Sequence, residues 1–164
     1  MTSELLIRPA TENDAEVLGR LGALLVQQHH SFDERRFLAP TPRTAEHYAS
    51  FLATQMSEAD AIIMVAEVDG RVIGYAYGTI EGHDWISLRG PAALLHDLLV
   101  DPNERNRAVG KTLLNAMIDA FTSRGVPRVV LGTAERNIGA QRFFERAMFR
   151  RTMVEMTREL KASD

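Results

Sequence analysis

The chain is expected to form an α/β fold, one mixed sheet flanked by helices, and three observations carry that expectation. Strand-like apolar runs and helix-spaced apolar sets follow one another along all 164 residues in the order β-α-α-β-β-β-α-β-α-β. A helix lies between two continuous apolar strands near the C-terminal third, which implies a parallel crossover. No repeat, linker or low-complexity tract interrupts the order, so residues 1–164 are expected as a single domain of a size one core can support.

Leu5-Leu6-Ile7-Arg8 is the expected first strand, stopped at Pro9. Thr11 stands three residues before Asp14, a capping-box-like start for a helix that buries Val17, Leu18, Leu21, Leu24 and Leu25. The polar stretch from His29 to Pro42 holds two prolines and is expected as a loop. Thr44 to Met56 follows as a helix with Tyr48, Phe51 and Leu52 inward. Ala61 to Val68 is a strand, Asp69-Gly70 a hairpin turn and Arg71 to Glu81 the returning strand.

Leu94 to Val100 is an apolar strand broken only by His96 and Asp97, and Pro102 ends it. Ala108 to Ser123 has helical spacing through Val109, Leu113, Leu114, Met117, Ile118 and Phe121, closed by Gly125 and Pro127. Arg128 to Thr133 is another buried strand. Asn137 or Ile138 to Arg146 is a short helix, and Arg150 to Leu160 is the expected last strand.

Composition narrows the function. Hydrophobic residues make up 45% and charged residues 25%, an ordinary globular balance. A net charge of −3 argues against a nucleic-acid partner, whose binding face is usually strongly basic. With no cysteine there can be no disulfide, thiolate metal site or cysteine nucleophile. His29 and His30 are adjacent and lack metal-ligand spacing, and there is no H-E-x-x-H, so no metal is expected. Met1 to Pro9 carries Glu4 and Arg8 and is unlike a signal peptide. No apolar stretch approaches the ~20 residues that span a bilayer. A cytoplasmic location without membrane partners is the expectation.

The chemistry concentrates where the strand ending at Val100 turns into the Ala108 helix. A turn feeding a helix N-terminus aims unpaired backbone amides and the positive end of the helix dipole at one point, a ready anion site. Arg105, Arg107 and Lys111 add three cations there. Gly110-Lys111-Thr112 matches the end of the phosphate-binding motif G-x-x-x-x-G-K-[ST], but position 105, where its first glycine belongs, is Arg. The strand Arg128 to Thr133 also lacks the magnesium-binding Asp that such sites use, so that reading fails.

Val100-Asp101-Pro102, Arg105, Val109, Gly110 and Leu113-Leu114 instead resemble the R-x-x-G-x-G pyrophosphate loop of the GNAT N-acetyltransferase superfamily. Ala108 stands for the first motif glycine and Asn106 for another frequent one. Alanine adds only a methyl, and Asn tolerates the left-handed conformation better than most residues. Asn137-x-x-Ala140-x-x-Phe143-Phe144 with Phe149 is similar to that family's N-x-x-A-x-x-[FL]-Y-x-x-x-G-F box. Ile7-Arg8-Pro9-Ala10-Thr11 and Val72-Ile73-Gly74-Tyr75 resemble it as well, so the likeness covers nearly the whole chain.

The resemblance implies a mostly antiparallel, six- to seven-stranded mixed sheet flanked by about four helices, with one splayed parallel strand pair. It implies acetyl-CoA as cofactor, its pantetheine arm in the splay against the backbones of Leu98 and Val100. The pyrophosphate would sit on Arg105, Asn106, Arg107, Ala108, Val109, Gly110 and Lys111, with Asn137, Ala140, Phe143 and Phe144 along the arm. The implied activity is direct transfer of an acetyl group to a primary amine of a small molecule. Dimers are common among such proteins, so a homodimer is possible.

An alkyl amine resembles lysine, with a pKa of ~10.4, and must lose its proton to attack a thioester. His96 stands where similar transferases carry a glutamate and is either that base or a histidine satisfied by core hydrogen bonds. Asp97 is next, although strand alternation puts it on the opposite face. The family usually has tyrosine at position 144 to protonate the leaving thiolate. Phe144 has no proton to give, and Tyr75 or Tyr77 is the substitute to weigh. Asp33, Glu34 and Glu81 could attract a cationic acceptor. Two further readings stay open: an acyl-CoA-binding sensor without turnover, favoured by Phe144 and Ala108, and transfer to a protein N-terminus or lysine.

Overall fold

In the computed structural model, which describes residues 3–161 and, for residues 105–107, the backbone without the side chains, five strands form one sheet in the order β1-β2-β3-β4-β5. They are β1 (Leu5–Pro9), β2 (Ala61–Val68), β3 (Arg71–Glu81), β4 (Ala92–Val100) and β5 (Val129–Leu131). The first three pairings are antiparallel and β4 with β5 is parallel. Helices α1 (Ala15–Phe32) and α2 (Thr44–Met56) precede β2, α3 (Val109–Ser123) crosses from β4 to β5, and α4 (Ile138–Arg146) follows.

Local chemistry accounts for the boundaries. Thr11 and Asp14 form the expected reciprocal cap, with the Thr11 amide donating to Asp14 Oδ2 at 2.8 Å. Asp69 and Gly70 both have positive φ, 51° and 74°, as the tight turn between β2 and β3 requires. Alternation along β2 to β4 sends two sets of side chains to opposite faces. One face packs on α3 through Ile73, Ala76, Leu95, Val109, Leu113 and Phe121; the other packs on α1 and α2 through Leu18, Leu21, Leu52, Val65, Tyr75 and Leu99. Burial of these apolar surfaces is the main drive for the layered arrangement.

Three expectations change. α1 runs on through His29 and His30 to Phe32, so the loop begins only at Asp33. The cause is that no breaker interrupts the helix, and His29 Nδ1 donates to the Leu25 carbonyl one turn back at 2.9 Å. Phe51 is 44% exposed rather than inward, lying edge-on to Tyr48 and Tyr77. The sheet has five strands, because residues 150–160 form no strand. That segment leaves α4 and is held by side chains instead: Arg151 donates to Glu145 and Gln141, and Glu155 pairs with Arg36 of the loop after α1. Val154, Met156 and Leu160 are left 83%, 92% and 91% exposed.

Candidate active site

The parallel pairing is short. Ala93, Leu94 and Leu95 of β4 face Val129, Val130 and Leu131 of β5, and there the ladder stops while β4 continues to Val100. The two strands part, and a cleft of about 70 Å³ opens where they separate. Gln28 and His29 of α1 line one wall, His96, Asp97 and Leu98 of β4 the floor, Gly132 and Thr133 the far strand's continuation, and Asn137, Ala140 and Phe144 the opposite side. The expected splay is thus present, and α1 closes over it.

A bulge shapes the floor. Tyr77 pairs with Asp97 but the next β3 residue, Gly78, pairs with Leu95, so His96 is the extra residue on β4. Ala93 and Leu95 before the bulge and Leu98 and Val100 after it all pack on the α3 face. His96 and Asp97 therefore share the α1/α2 face, contrary to simple alternation. Contacts agree: His96 lies against Tyr77 at 5.1 Å between ring centroids, and Asp97 bonds to Tyr75 and Tyr48.

Asp97 is 8% exposed, and its Oδ2 accepts from the hydroxyls of both Tyr48 (2.5 Å) and Tyr75 (2.8 Å). Burial pushes its carboxyl pKa up, and the two hydroxyl donors oppose that shift. The same burial and the nearby carboxylate raise the pKa of both tyrosines. Tyr75 is wholly buried with its hydroxyl committed, so it does not line the cleft. His96 is exposed at the rim with Nε2 2.8 Å from Thr79 Oγ1.

Next to the cleft, a 3-10 turn over Pro102–Arg107 leads into α3. Asp101 starts it, accepting from the Asn103 amide at 3.0 Å. Ala108 takes φ 55°, the left-handed region, and provides no side-chain cap for α3. The first amides of α3, from Val109, Gly110 and Lys111, have no acceptor within the helix itself and no side-chain cap among the described residues, the arrangement an anion can use. A Cβ at Gly110 would sit 3.8 Å from Phe143 and from Val100, so this turn packs directly on α4 and β4. The side chains of Arg105, Asn106 and Arg107, expected to help here, lie outside the described residues.

Other expected residues fall in separate places. Asn137 caps α4, its side chain accepting from the Ala140 amide at 3.1 Å, and both residues line the cleft. Asp33 and Glu34 line a second, open pocket of about 580 Å³ with His30, Arg35, Arg136 and Glu159. Glu81 lies in neither pocket and pairs with Arg89 at 2.9 Å. Residues the sequence does not place at this site are Gln28, His29 and Thr133, which line the cleft, and Tyr48, which bonds to Asp97. The i to i+4 relation of Leu25 and His29 was the signal that could have extended α1 and brought His29 to the cleft. Among the described residues no group of three metal-ligating side chains is found, and no helix is long and apolar enough to cross a membrane.

The splayed pair, the α3 terminus without a side-chain cap and the α4 segment that carries the N-x-x-A box define the GNAT-like mixed α/β fold that the sequence resembles. The chain belongs to the acetyltransferase (GNAT) family, whose model matches residues 11–149. It is 30% identical over 95 residues to the mycothiol acetyltransferase of Clavibacter michiganensis subsp. michiganensis, covering 58% of this chain and 28% of that protein. It is 33% identical over 87 residues to an uncharacterized N-acetyltransferase of Methanocaldococcus jannaschii, covering 52% of this chain and 37% of that one. The matches thus span well under half the length of those relatives. Among solved structures, a mutant of a Bacillus halodurans protein superposes with a TM-score of 0.82 at 19% identity, covering 95% of this chain and 99% of that one. An aminoglycoside N-acetyltransferase crystallised with CoA gives 0.75 at 20% identity, covering 98% of both chains. These last two likenesses concern the fold.

Proposed function

We propose that this chain transfers an acetyl group from acetyl-CoA to a primary amine of a small molecule by direct attack, without an acyl-enzyme. The observation that carries the reading is the end of β4–β5 pairing at Leu95 and Leu131, which leaves the β4 backbone from His96 to Val100 open toward a cleft next to an uncapped helix. An extended thioester arm can pair with such an edge, and a diphosphate suits free amides at a helix N-terminus.

In this reading the backbones of Leu98 and Val100 hold the arm and the amides of Val109, Gly110 and Lys111 hold the pyrophosphate. Arg105, Asn106 and Arg107 join them by the family pattern. Asn137 and Ala140 flank the arm, with Phe144 packed against it and Phe143 under the turn. Acetyl-CoA, when bound, supplies the activated carbonyl. The protein's own part is to orient the amine, exclude water from the cleft and receive a proton. Asp33 and Glu34, with Glu159, would draw a cationic acceptor to the second pocket, which shares the end of α1 with the cleft through His29 and His30.

One observation favours a sensor instead: Phe144 lines the cleft without a hydroxyl. The test is thiol release over a panel of amines beside calorimetric titration of acetyl-CoA. Release above the spontaneous rate supports the transferase. Tight binding without release leaves the sensor, and no binding removes both. Gly110→Trp drives an indole toward Phe143 and Val100, where the turn meets α4 and β4, and should abolish binding; unchanged affinity would count against the pyrophosphate assignment. A homodimer belongs to this reading too, with the exposed segment 150–160 covered by a second copy.

A further inference from the structure

Resting on the transferase reading, the geometry points to His29 Nε2 as the base that takes the proton of the acceptor amine. His29 stands on the last turn of α1 and lines the cleft opposite Asp97 and Leu98 of β4. Its Nδ1 lies 2.9 Å from the Leu25 carbonyl, and a carbonyl oxygen can only accept, so Nδ1 carries the hydrogen. In the neutral ring the lone pair is then on Nε2, which has no hydrogen-bond partner among the described residues. Edge contacts to Phe32 (6.1 Å) and Phe37 (5.1 Å) hold the ring's orientation, and an imidazole with one nitrogen anchored and the other free is arranged to exchange a proton.

The other groups at the cleft are less able to serve. His96 Nε2 is already engaged by Thr79 Oγ1 at 2.8 Å, whichever of the two donates, and its ring lies beside Tyr77 at the exposed rim. The Oδ2 of Asp97 already accepts two hydroxyls in a nearly closed site. Tyr48 and Tyr75 spend their protons on it. Thr133 is too weak a base to deprotonate an amine.

As the amine nitrogen bonds to the thioester carbon and the carbon–sulfur bond breaks, the nitrogen's proton moves to His29 Nε2. The thiolate leaves with the electron pair of the broken bond, and the imidazolium returns its proton to water. A thiol of pKa ~8.5 leaves tolerably as the anion, which suits a site where Phe144 donates nothing.

Titrating or charged neighbours of His29 must be kept in view. His96 and Asp97 on β4 line the same cleft; Tyr48 on α2 and Tyr75 on β3 bond to Asp97, Tyr77 lies against His96, and His30 and Asp33 follow at the end of α1. Arg36 lies over Phe37, and Arg136 donates to the Phe32 carbonyl. The test therefore compares rates of the parent, His29→Gln, His29→Ala and His96→Gln across pH, with acetyl-CoA affinity measured for each. The parent-to-variant ratio cancels the titration of the amine itself. For His29→Gln it should rise from near unity in acid to ~10²–10⁴ above neutrality, the usual worth of a positioned base, with cofactor affinity kept. His96→Gln should give a ratio that does not rise with pH. Added imidazole should restore part of the rate to His29→Ala, which lost packing alone would not allow. A His29 ratio flat with pH, or a rate within threefold of the parent, overturns the assignment while leaving the transferase standing. A parent that releases no thiol with any amine overturns both.

Discussion

The hydroxyl of Tyr48 on α2 donates to Asp97 Oδ2 on β4 at 2.5 Å, and Tyr75 of β3 donates to the same oxygen. One nearly buried carboxyl thus ties a helix to two strands directly under the cleft. Gly22 makes the approach possible, since a Cβ there would run into the Tyr48 ring. Removing the Tyr48 hydroxyl leaves Asp97 with one donor in a site water barely reaches. Tyr48→Phe should cost about 2 kcal/mol, within the range for hydrogen bonds to charged groups. For a chain of this size that lowers the melting temperature by about 4–8 °C. A melting temperature equal to the parent's would mean that the short contact contributes nothing net.

The raised pKa of Asp97 has a sign that can be measured. A carboxyl raised in the folded state holds its proton more tightly there than in the unfolded chain. Its contribution is present below the ordinary value of ~3.9 and is lost as pH rises through the raised folded value. Asp97→Asn removes the titration while keeping an oxygen that can accept from both tyrosines. Relative to the parent, the variant should gain stability as pH rises through that window and then level off, in urea denaturation at a series of pH values. The reverse trend would mean that the two hydroxyl donors outweigh burial at this carboxyl.

Much of the fold was legible because it rests on local signals. The spans of α2, β2 and β3 were read without error, from a polar start at Thr44, β-branched runs and the Asp69-Gly70 turn. The splay was expected from resemblance alone, since nothing in the spacing of residues 94–100 and 128–133 says where two strands part. The bulge at His96 was not legible either. It depends on the register against β3, and a strand read by itself offers only period-two alternation. For the same reason His96 and Asp97 were assigned to opposite faces. His29 escapes a reading of the sequence because two prolines downstream make a loop the natural expectation, although the Leu25–His29 relation that extends α1 is local to the helix. Arg150 to Leu160 reads as a last strand in the sequence, but a strand needs a paired neighbour, and among the described residues none is in place.

Ala108 is the position where the turn's sequence and its backbone disagree. Its φ of 55° and ψ of 21° are left-handed, where a Cβ costs about 1–2 kcal/mol and glycine costs nothing sterically. Ala108→Gly should therefore raise stability by a net ~1 kcal/mol, part of the relief being offset by the greater freedom glycine has when unfolded. The expected rise in melting temperature is about 2–4 °C. Acetyl-CoA should bind at least as well, because the methyl is removed from the face where the α3 amides are free. A lower melting temperature would argue that the turn is not left-handed in solution.

The segment 150–160 makes the last prediction. Val154, Met156 and Leu160 alternate as in a half-buried strand yet are almost fully exposed, and no backbone ladder takes them up. At the same time β5 pairs only with β4, so its outer edge along Val129–Leu131 has no strand partner among the described residues. Unpaired strand edges and exposed apolar rows are both costly in isolation, and one chain carries the two complementary halves. A second copy that lays its segment on this edge would satisfy both at once, and two-fold symmetry would do so twice. Sedimentation equilibrium should find a dimer in the micromolar range. The double change Val154→Asp with Met156→Asp should shift it to monomer while α1 to α4 stay folded by circular dichroism. Because Thr157 and Glu159 also line the open pocket beside Asp33, the monomeric variant should bind amines more weakly without losing affinity for acetyl-CoA. A parent that sediments as a monomer at every concentration would leave the exposed row unexplained and remove the pairing.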